Sequence, residues 1–260
     1  MPVWTVEDRL DTILEGVREC HVHIAAGEVA IAAGDCPSAL EVERLEGDPP
    51  IVEMIDGVVE VRYDPPIGLP PRRRRALVGI AVPPTTDVIV VTASADVVVA
   101  GLVGESSLTT ASGAVTLDGV GGRVRVRTAS GEVDVRSAMA SLRCETVSGD
   151  VTVADGHSPA MSARTISGAL LLDIDLRPGG EYELATVSGR VALKLEDDPS
   201  VRVDVRSLSG RIDSAFDLEN TRRGPVGRRL SGAVGRGEAD LTVRTVSGNV
   251  ALLRPVGAAR

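Results

Sequence analysis

Aromatic residues are nearly missing from this chain. Trp4, Tyr63, Tyr182 and Phe216 are all of them, 2% of 260 residues. Sheet proteins usually lean on aromatics, so the core must be built from Val, Leu, Ile and Ala, which suit a narrow interior. The scarcity also removes the stacking platforms that hold single-stranded nucleic acids and the flat surfaces of many polysaccharide binders. Positive charge is outweighed: 28 Lys and Arg stand against 37 Asp and Glu, for a net charge of −9. General nucleic-acid binding needs a basic footprint, and nucleic acid is excluded as a partner class on that ground. Three cysteines, Cys20, Cys36 and Cys144, form no paired framework. Residues 1–13 hold no basic segment followed by an apolar stretch, so no secretory leader is read there. The longest apolar-looking run, 88–103, is interrupted by Thr92, Ser94 and Asp96 and reads as a pair of strands, not a membrane span. These features predict a cytoplasmic protein with no integral membrane span, and no cofactor motif is read.

What the chain has in abundance is a repeat. Ser-Gly pairs stand at Ser112-Gly113, Ser130-Gly131, Ser148-Gly149, Ser167-Gly168, Ser188-Gly189, Ser209-Gly210, Ser231-Gly232 and Ser247-Gly248. The intervals are even except for a short last one, and a period of roughly 20 residues marks a stack of similar units. Two places before the serine stands Thr110, Thr128, Thr146, Thr165, Thr186, Ser207 or Thr245, and three after it stands Val115, Val133, Val151, Leu170, Val191, Ile212, Val234 or Val250. Apolar residues alternate on both sides of the pair, as in Leu142 and Cys144 before Ser148 and Val151 and Val153 after it. Alternation of period 2 means strands. The apolar parity flips by one after the glycine, which places a bulge or corner there. The Thr and Ser hydroxyls then face inward and could stack as a ladder from coil to coil. One coil cannot bury enough apolar surface to stand alone, so coils must stack with backbones paired about 4.8 Å apart. The prediction is an all-β, single-stranded β-solenoid of ~18–22-residue coils carrying Thr-x-Ser-Gly-x-Val-x-Val, eight coils spanning about 35–40 Å.

The run Val78-Gly79-Ile80-Ala81-Val82-Pro83, then Asp87 to Val91, then the serial Ser-Gly coils, resembles the bacterial putative-adhesin family of β-strand repeat proteins, a family of unknown function. The likeness spans about residues 76–253. It implies a β-helical, non-catalytic module, linked in some related proteins to cell-envelope stress systems, with no catalytic residues to carry over. One coil departs from the pattern: Arg229, Gly227 and Pro225 precede Ser231 where a Thr and two aliphatics are expected, so a loop should bulge out there.

Along the chain, residues 1–75 read as a degenerate N-terminal β region or cap, 76–253 as the regular solenoid and 254–260 as a tail. Within 1–19, Val6, Leu10, Ile13 and Val17 fit a helical stripe with a capping box at Thr5 and Asp8, or else an irregular first coil. Strands are expected at 21–25, 28–32, 39–45 and 58–63, and the segment from Gly27 to Ile31 echoes the later coils. The Pro-rich excursion 64–75 ends in Arg72, Arg73, Arg74 and Arg75. No dedicated C-terminal cap is legible, and an open solenoid edge invites pairing.

Cys20, His21, His23, Asp35 and Cys36 lie close in sequence, and His-x-His on a strand puts two imidazoles on one face, as zinc or copper sites do. No CxxC or HExxH spacing accompanies them, and an ordinary strand face is the preferred reading. Arg72–Arg75 and a second cluster, Arg222, Arg223, Arg228 and Arg229, are candidate contacts for an acidic partner or a phospholipid surface, against the alternative of solvated loops. Serines of the corner column have no base at hand, since His157 is the only histidine outside the N-terminus. Asp118, Asp134, Asp150 and Asp173, if clustered, could line a calcium-bearing lyase groove. The expected function is a non-enzymatic solenoid interaction or scaffold module, tied to a cell-envelope or stress-response system and meeting a protein partner, itself or the envelope periphery. The alternatives are a self-polymerising, cytoskeleton-like β-helix and, less favoured, a carbohydrate-active β-helix enzyme.

Overall fold

The structure is a computed structural model that describes residues 2–34, 37–63, 74–222 and 227–255. Every described element is a strand, and the chain divides into two compact units, Met1–Gly131 and Glu132–Arg260.

The first unit holds β1 (Val3–Thr5), β2 (Arg9–Leu14), β3 (Glu19–Ile24), β4 (Ala26–Ala33), β5 (Ser38–Glu46), β6 (Ile51–Ile55), β7 (Val58–Arg62), β8 (Arg75–Val82), β9 (Asp87–Thr92), β10 (Asp96–Ala100), β11 (Ser106–Thr110), β12 (Val115–Asp118) and β13 (Arg123–Thr128). One sheet runs β1-β6-β7-β3-β9-β11-β13 and the other β2-β5-β8-β4-β10-β12. From β7 and β8 onward the pairing is parallel, with Leu108 against Val90 and Val126, while β1, β2, β5 and β6 add antiparallel strands at the outer side. The described residues 2–18 therefore hold two short strands, Val3–Thr5 and Arg9–Leu14, and no helix. The stripe at Val6, Leu10, Ile13 and Val17 loses to edge pairing with β5 and β6, and Ile13 stays exposed.

The second unit holds β14 (Val133–Arg136), β15 (Ser141–Thr146), β16 (Val151–Gly156), β17 (Ala160–Thr165), β18 (Leu170–Ile174), β19 (Glu181–Thr186), β20 (Val191–Lys194), β21 (Val201–Ser207), β22 (Ile212–Ser214), β23 (Glu219–Arg222), β24 (Arg228–Val234), β25 (Ala239–Thr245) and β26 (Val250–Leu253). Its sheets run β15-β17-β19-β25-β21-β24-β23 and β14-β16-β18-β20-β26-β22.

In both units a coil is one strand in each sheet joined at a corner, and inward residues alternate along both strands to make a dry aliphatic core. The coils do not all stack in chain order. The coil of β3 and β4 sits between β7/β8 and β9/β10, and the coil of β25 and β26 sits between β19/β20 and β21/β22. In place of the bulging loop expected before Ser231, the described residues hold two strands: β23 pairs antiparallel with β24, which adds to β21, while 223–226 lie outside the described residues. Ser231 and Gly232 accordingly lie inside β24, opposite Asp204 and Val203, and are no corner. Arg229 and Gly227 cannot supply the inward Thr and aliphatic that a corner needs, so this Ser-Gly pair does not belong with the others.

At the remaining pairs the corner is built alike. The N–H of Gly113, Gly131, Gly149, Gly168, Gly189 and Gly248 donates to the hydroxyl of Thr110, Thr128, Thr146, Thr165, Thr186 and Thr245 at 2.8–3.0 Å, and Gly210 donates to Ser207 at 2.8 Å. These hydroxyls are buried, so the bond satisfies two polar groups that water cannot reach. A hydroxyl-to-hydroxyl bond is seen at Thr92 to Thr110, 2.9 Å, and the column works mainly as a set of caps rather than as a ladder. The corner glycines are not in the left-handed region. They are required because coils approach closely: a Cβ on Gly189 would stand 1.8 Å from Gly168 O, and one on Gly210 1.8 Å from Gly248 O.

Candidate functional site

The residue between Thr and Ser in each corner points away from the core. In the first unit this position holds Ala93, Ala111 and Ala129. In the second it holds Val147, Ile166, Val187, Val246 and Leu208, in the order in which the coils stack, each 45–54% exposed. Backbone bonds fix that order: Ile166 N–H donates to Val147 O, Val187 N–H to Ile166 O, Ser247 N–H to Val187 O and Ser209 N–H to Val246 O. The result is a ridge of branched aliphatic side chains at one edge of the unit. Alanine serves the same corner in the first unit, so the corner itself does not demand them. Exposed apolar side chains standing singly are ordinary, but a contiguous line of them marks a contact surface.

Arginines border the ridge. Two places before it, on the outer face of the sheet, stand Glu145, Arg164, Ala185, Arg244 and Arg206, so the row turns from an acid to arginines toward Leu208, and Arg229 of β24 continues it opposite Arg206. Three places after it stand Asp150, Ala169, Arg190, Asn249 and Arg211, all exposed but Ala169. Asp204 takes Arg206 at 2.5 Å and Arg229 at 2.8 Å, and Glu183 takes Arg164 at 2.7 Å with Arg244 at 3.8 Å. Burial pushes the Asp204 carboxyl up, but hydrogen bonds and charge from Arg206 and Arg229 outweigh it and hold the carboxyl below its usual range. That stabilisation is present at neutral pH and is lost as pH falls through the depressed value. An open cavity of about 350 Å³ lies at this end of the row, lined by Arg206, Leu208, Arg228, Arg229 and Arg244 among others.

Of the arginines picked out in the sequence, Arg228 and Arg229 belong to this surface. Arg222 lies in β23 opposite Arg228, and Arg223, like Arg72 and Arg73, falls outside the described residues. Arg74 does a structural job: it bonds Asp48 at 2.8 Å and lies 5.2 Å over the Tyr63 ring. Arg75 opens β8. The ridge, Arg206 and Arg244 were not picked out by sequence reasoning. The signal was present, since Val, Ile and Leu occupy a position whose parity faces outward.

The other candidates do not come together. Cys20 faces the core, where burial pushes its thiol up to about 12, while His21 and His23 lie on the opposite face of β3. Asp35 and Cys36 fall outside the described residues. Cys144 is likewise buried, its thiol pushed up to about 12. Among the described acids, Asp150 accepts the Ala169 N–H at a corner, 2.7 Å, and Asp173 pairs with Lys194 at 2.6 Å. Asp134 stands opposite Thr152 and Asp118 ends β12 opposite Ala100, so the four do not share one site. His157 lies 3.0 Å from Asp175, not beside a corner serine. The corner serines are exposed and make long bonds to the neighbouring coil, as in Ser188 Oγ to Ile166 O at 3.4 Å.

Two mostly parallel sheets joined at regular corners define a β-solenoid-like protein. The family model described as Toastrack DUF4097 matches residues 68–253, and the chain belongs to that family. Among solved structures, a putative adhesin from Parabacteroides distasonis is 11% identical, with 98% of this chain and 97% of that one covered and a TM-score of 0.50. A putative lipid binding protein from the same species is 13% identical, with 96% and 98% covered and a TM-score of 0.51. A putative adhesin from Bacteroides fragilis is 10% identical, with 97% of each chain covered and a TM-score of 0.47. At these identities the likeness concerns the fold. No curated protein matches the chain. The two Parabacteroides distasonis neighbours are described as a putative adhesin and a putative lipid binding protein rather than as enzymes, and adhesins act at the cell surface. This conflicts with the cytoplasmic location expected from residues 1–13, and that expectation is withdrawn: Val3–Thr5 and Arg9–Leu14 form edge strands, and this stretch carries no information on location. Among the described residues no helix is long and apolar enough to cross a membrane.

Proposed function

We propose that this chain is a non-enzymatic β-solenoid interaction module that docks at the cell envelope through the corner ridge of its second unit. The repeating coils, with Thr-x-Ser-Gly-x-Val-x-Val at their corners, act as a rigid scaffold. In this reading 76–253 is the working solenoid, 1–75 its cap and 254–260 a tail. The observation that carries it is the line Val147, Ile166, Val187, Val246 and Leu208, exposed where the first unit has alanine. That two solved structures sharing the fold are described as an adhesin and a lipid binding protein accords with it. Growth by end-to-end stacking is the weaker reading, since antiparallel strands lie outside β21 in one unit and outside β7 and β8 in the other.

The triple variant Ile166→Ala, Val187→Ala, Val246→Ala separates docking from folding. Its melting temperature is expected to stay within about 5 °C of the parent, as for surface substitutions. Co-sedimentation with bacterial envelope fragments is expected to fall by about tenfold or more, from the apolar surface removed. A folded triple variant that sediments like the parent would sink the proposal.

A further inference from the structure

We infer that the surface this ridge meets is an anionic lipid bilayer, with the aliphatic side chains entering the interface and the bordering arginines holding lipid phosphates. The inference rests on the docking role proposed for the ridge and adds the chemistry of the partner. The chain as a whole is acidic, net −9, yet the Leu208 end of this edge gathers Arg206, Arg228, Arg229 and Arg244, while Glu145 and Asp150 flank its Val147 end. Arg244 of β25, Arg206 of β21 and Arg229 of β24 are successive neighbours across three strands, and Arg228 of β24 stands opposite Ser207. At the cavity end of the row two carboxylates reach it: Asp204 bridges Arg206 and Arg229, and Glu183, 3.8 Å from Arg244, is already bonded to Arg164; Glu145, at the other end, is bonded to Arg143. Four guanidiniums therefore converge on the 350 Å³ cavity against a carboxylate charge that does not neutralise them. On the far side of the ridge, Arg190 and Arg211 add two more exposed charges.

The order of chemistries across this edge selects the partner. Toward the Leu208 end, arginines lie on one side, a line of branched aliphatics forms the crest, and arginines lie on the other side. An interface with apolar depth beneath a plane of phosphates matches that order, because arginine stems lie along apolar surface while their heads stay at the phosphate level. The cavity brings Leu208 and four guanidiniums to one place, which suits a phosphate head carried on an acyl chain. A free acidic peptide would satisfy the charges and leave the crest in water.

The test is flotation of the full chain with vesicles of phosphatidylcholine alone or mixed with phosphatidylglycerol. The expected result is binding to the mixed vesicles only, weakening as salt rises because exposed charges are screened. Each arginine near an anionic surface contributes about a fivefold change in partitioning. The variant Arg190→Gln, Arg211→Gln is therefore expected to lose roughly 25-fold, and Arg206→Gln, Arg228→Gln, Arg244→Gln roughly a hundredfold. The first variant leaves untouched the ion pairs of Asp204 and Glu183 and keeps the inference testable even if the second folds poorly. The control Arg123→Gln, in the first unit, should bind like the parent. Equal binding to both vesicle types would overturn the inference, as would binding indifferent to Arg190 and Arg211. No vesicle binding, while envelope fragments still sediment with the parent and release the ridge variant, would overturn the lipid assignment and leave the docking role standing. Competition by an acidic polypeptide but not by anionic vesicles would transfer the site to a protein partner and likewise overturn it.

Discussion

Gly189→Ala is expected to lower the melting temperature by roughly 6–12 °C, corresponding to about 3 kcal/mol of overpacking. The added Cβ would stand 1.8 Å from Gly168 O and 2.8 Å from Thr186 Oγ1. The first of these is backbone, held by the parallel ladder that pairs β18 with β20, so no flexible side chain can swing aside. Relief requires the coils to move apart at the corner, which loosens the Gly189 N–H bond to Thr186 and the Val187 N–H bond to Ile166 O. Ser188→Ala next door removes only a 3.4 Å bond from an exposed hydroxyl and is expected to change stability by less than about 0.5 kcal/mol. Thermal melts of the two variants decide the matter. A Gly189→Ala protein that melts with the parent would mean that the coils are not stacked at this spacing.

Tyr182 gives the second large effect. It stands inward on β19 in a column otherwise held by aliphatics, flanked by Met161 on β17 and Leu241 on β25. Its ring is buried, its hydroxyl donates to Ser158 O at 2.7 Å, and it accepts the Arg177 N–H at 2.8 Å. Burial pushes the phenol up from its usual value, so it stays protonated as a donor. Tyr182→Ala should cost about 3–5 kcal/mol as a large-to-small core change. Tyr182→Phe keeps the volume and leaves Ser158 O and Arg177 N–H unpaired, for about 1–3 kcal/mol. Denaturant melts of both variants separate volume from hydrogen bonding. If the Phe variant were as stable as the parent, the two bonds through the hydroxyl would carry no net weight.

Much of the fold is legible in the chain because each coil repeats the same physical problem. The inward Thr, the glycine three places on and the alternating aliphatics follow from one corner geometry, and they mark the strands from β9 to β22 and β25 to β26, but not β23 and β24. The order of stacking is another matter. The corners at 207–210 and 245–248 carry equivalent column residues, Ser-Leu-Ser-Gly and Thr-Val-Ser-Gly, so either could pair with the coil of β19 and β20. Only the long-range arrangement puts β25 and β26 there. The shortened step from Ser231 to Ser247 was the trace of this, since the antiparallel pair of β23 and β24 replaces a coil. Glycine, too, was legible as a corner but for another reason than its cause: close approach of the neighbouring carbonyl, not a left-handed φ, excludes a side chain.

The candidate surface was half legible. Arg228 and Arg229 stood out as a charge run, yet their companions Arg206 and Arg244 stand well before and well after them in the chain. The four meet only through the parallel pairing of β21 with β25 and the antiparallel pairing with β24. Arg74, within the run Arg72–Arg75 read as a candidate contact, holds Asp48 and Tyr63. The ridge needed the corner geometry before its residues could be known to face outward, because parity flips where it stands.

Hydroxyl-radical footprinting of the full chain on bacterial envelope fragments tests the central claim most directly, since it reports side chains. The account predicts protection of Val147, Ile166, Val187, Leu208 and Val246, with the exposed Ile13 and Met139, which lie outside the ridge, labelled as in the free protein. Protection spread over Ile13 or Met139, with the ridge still open to labelling, would contradict it.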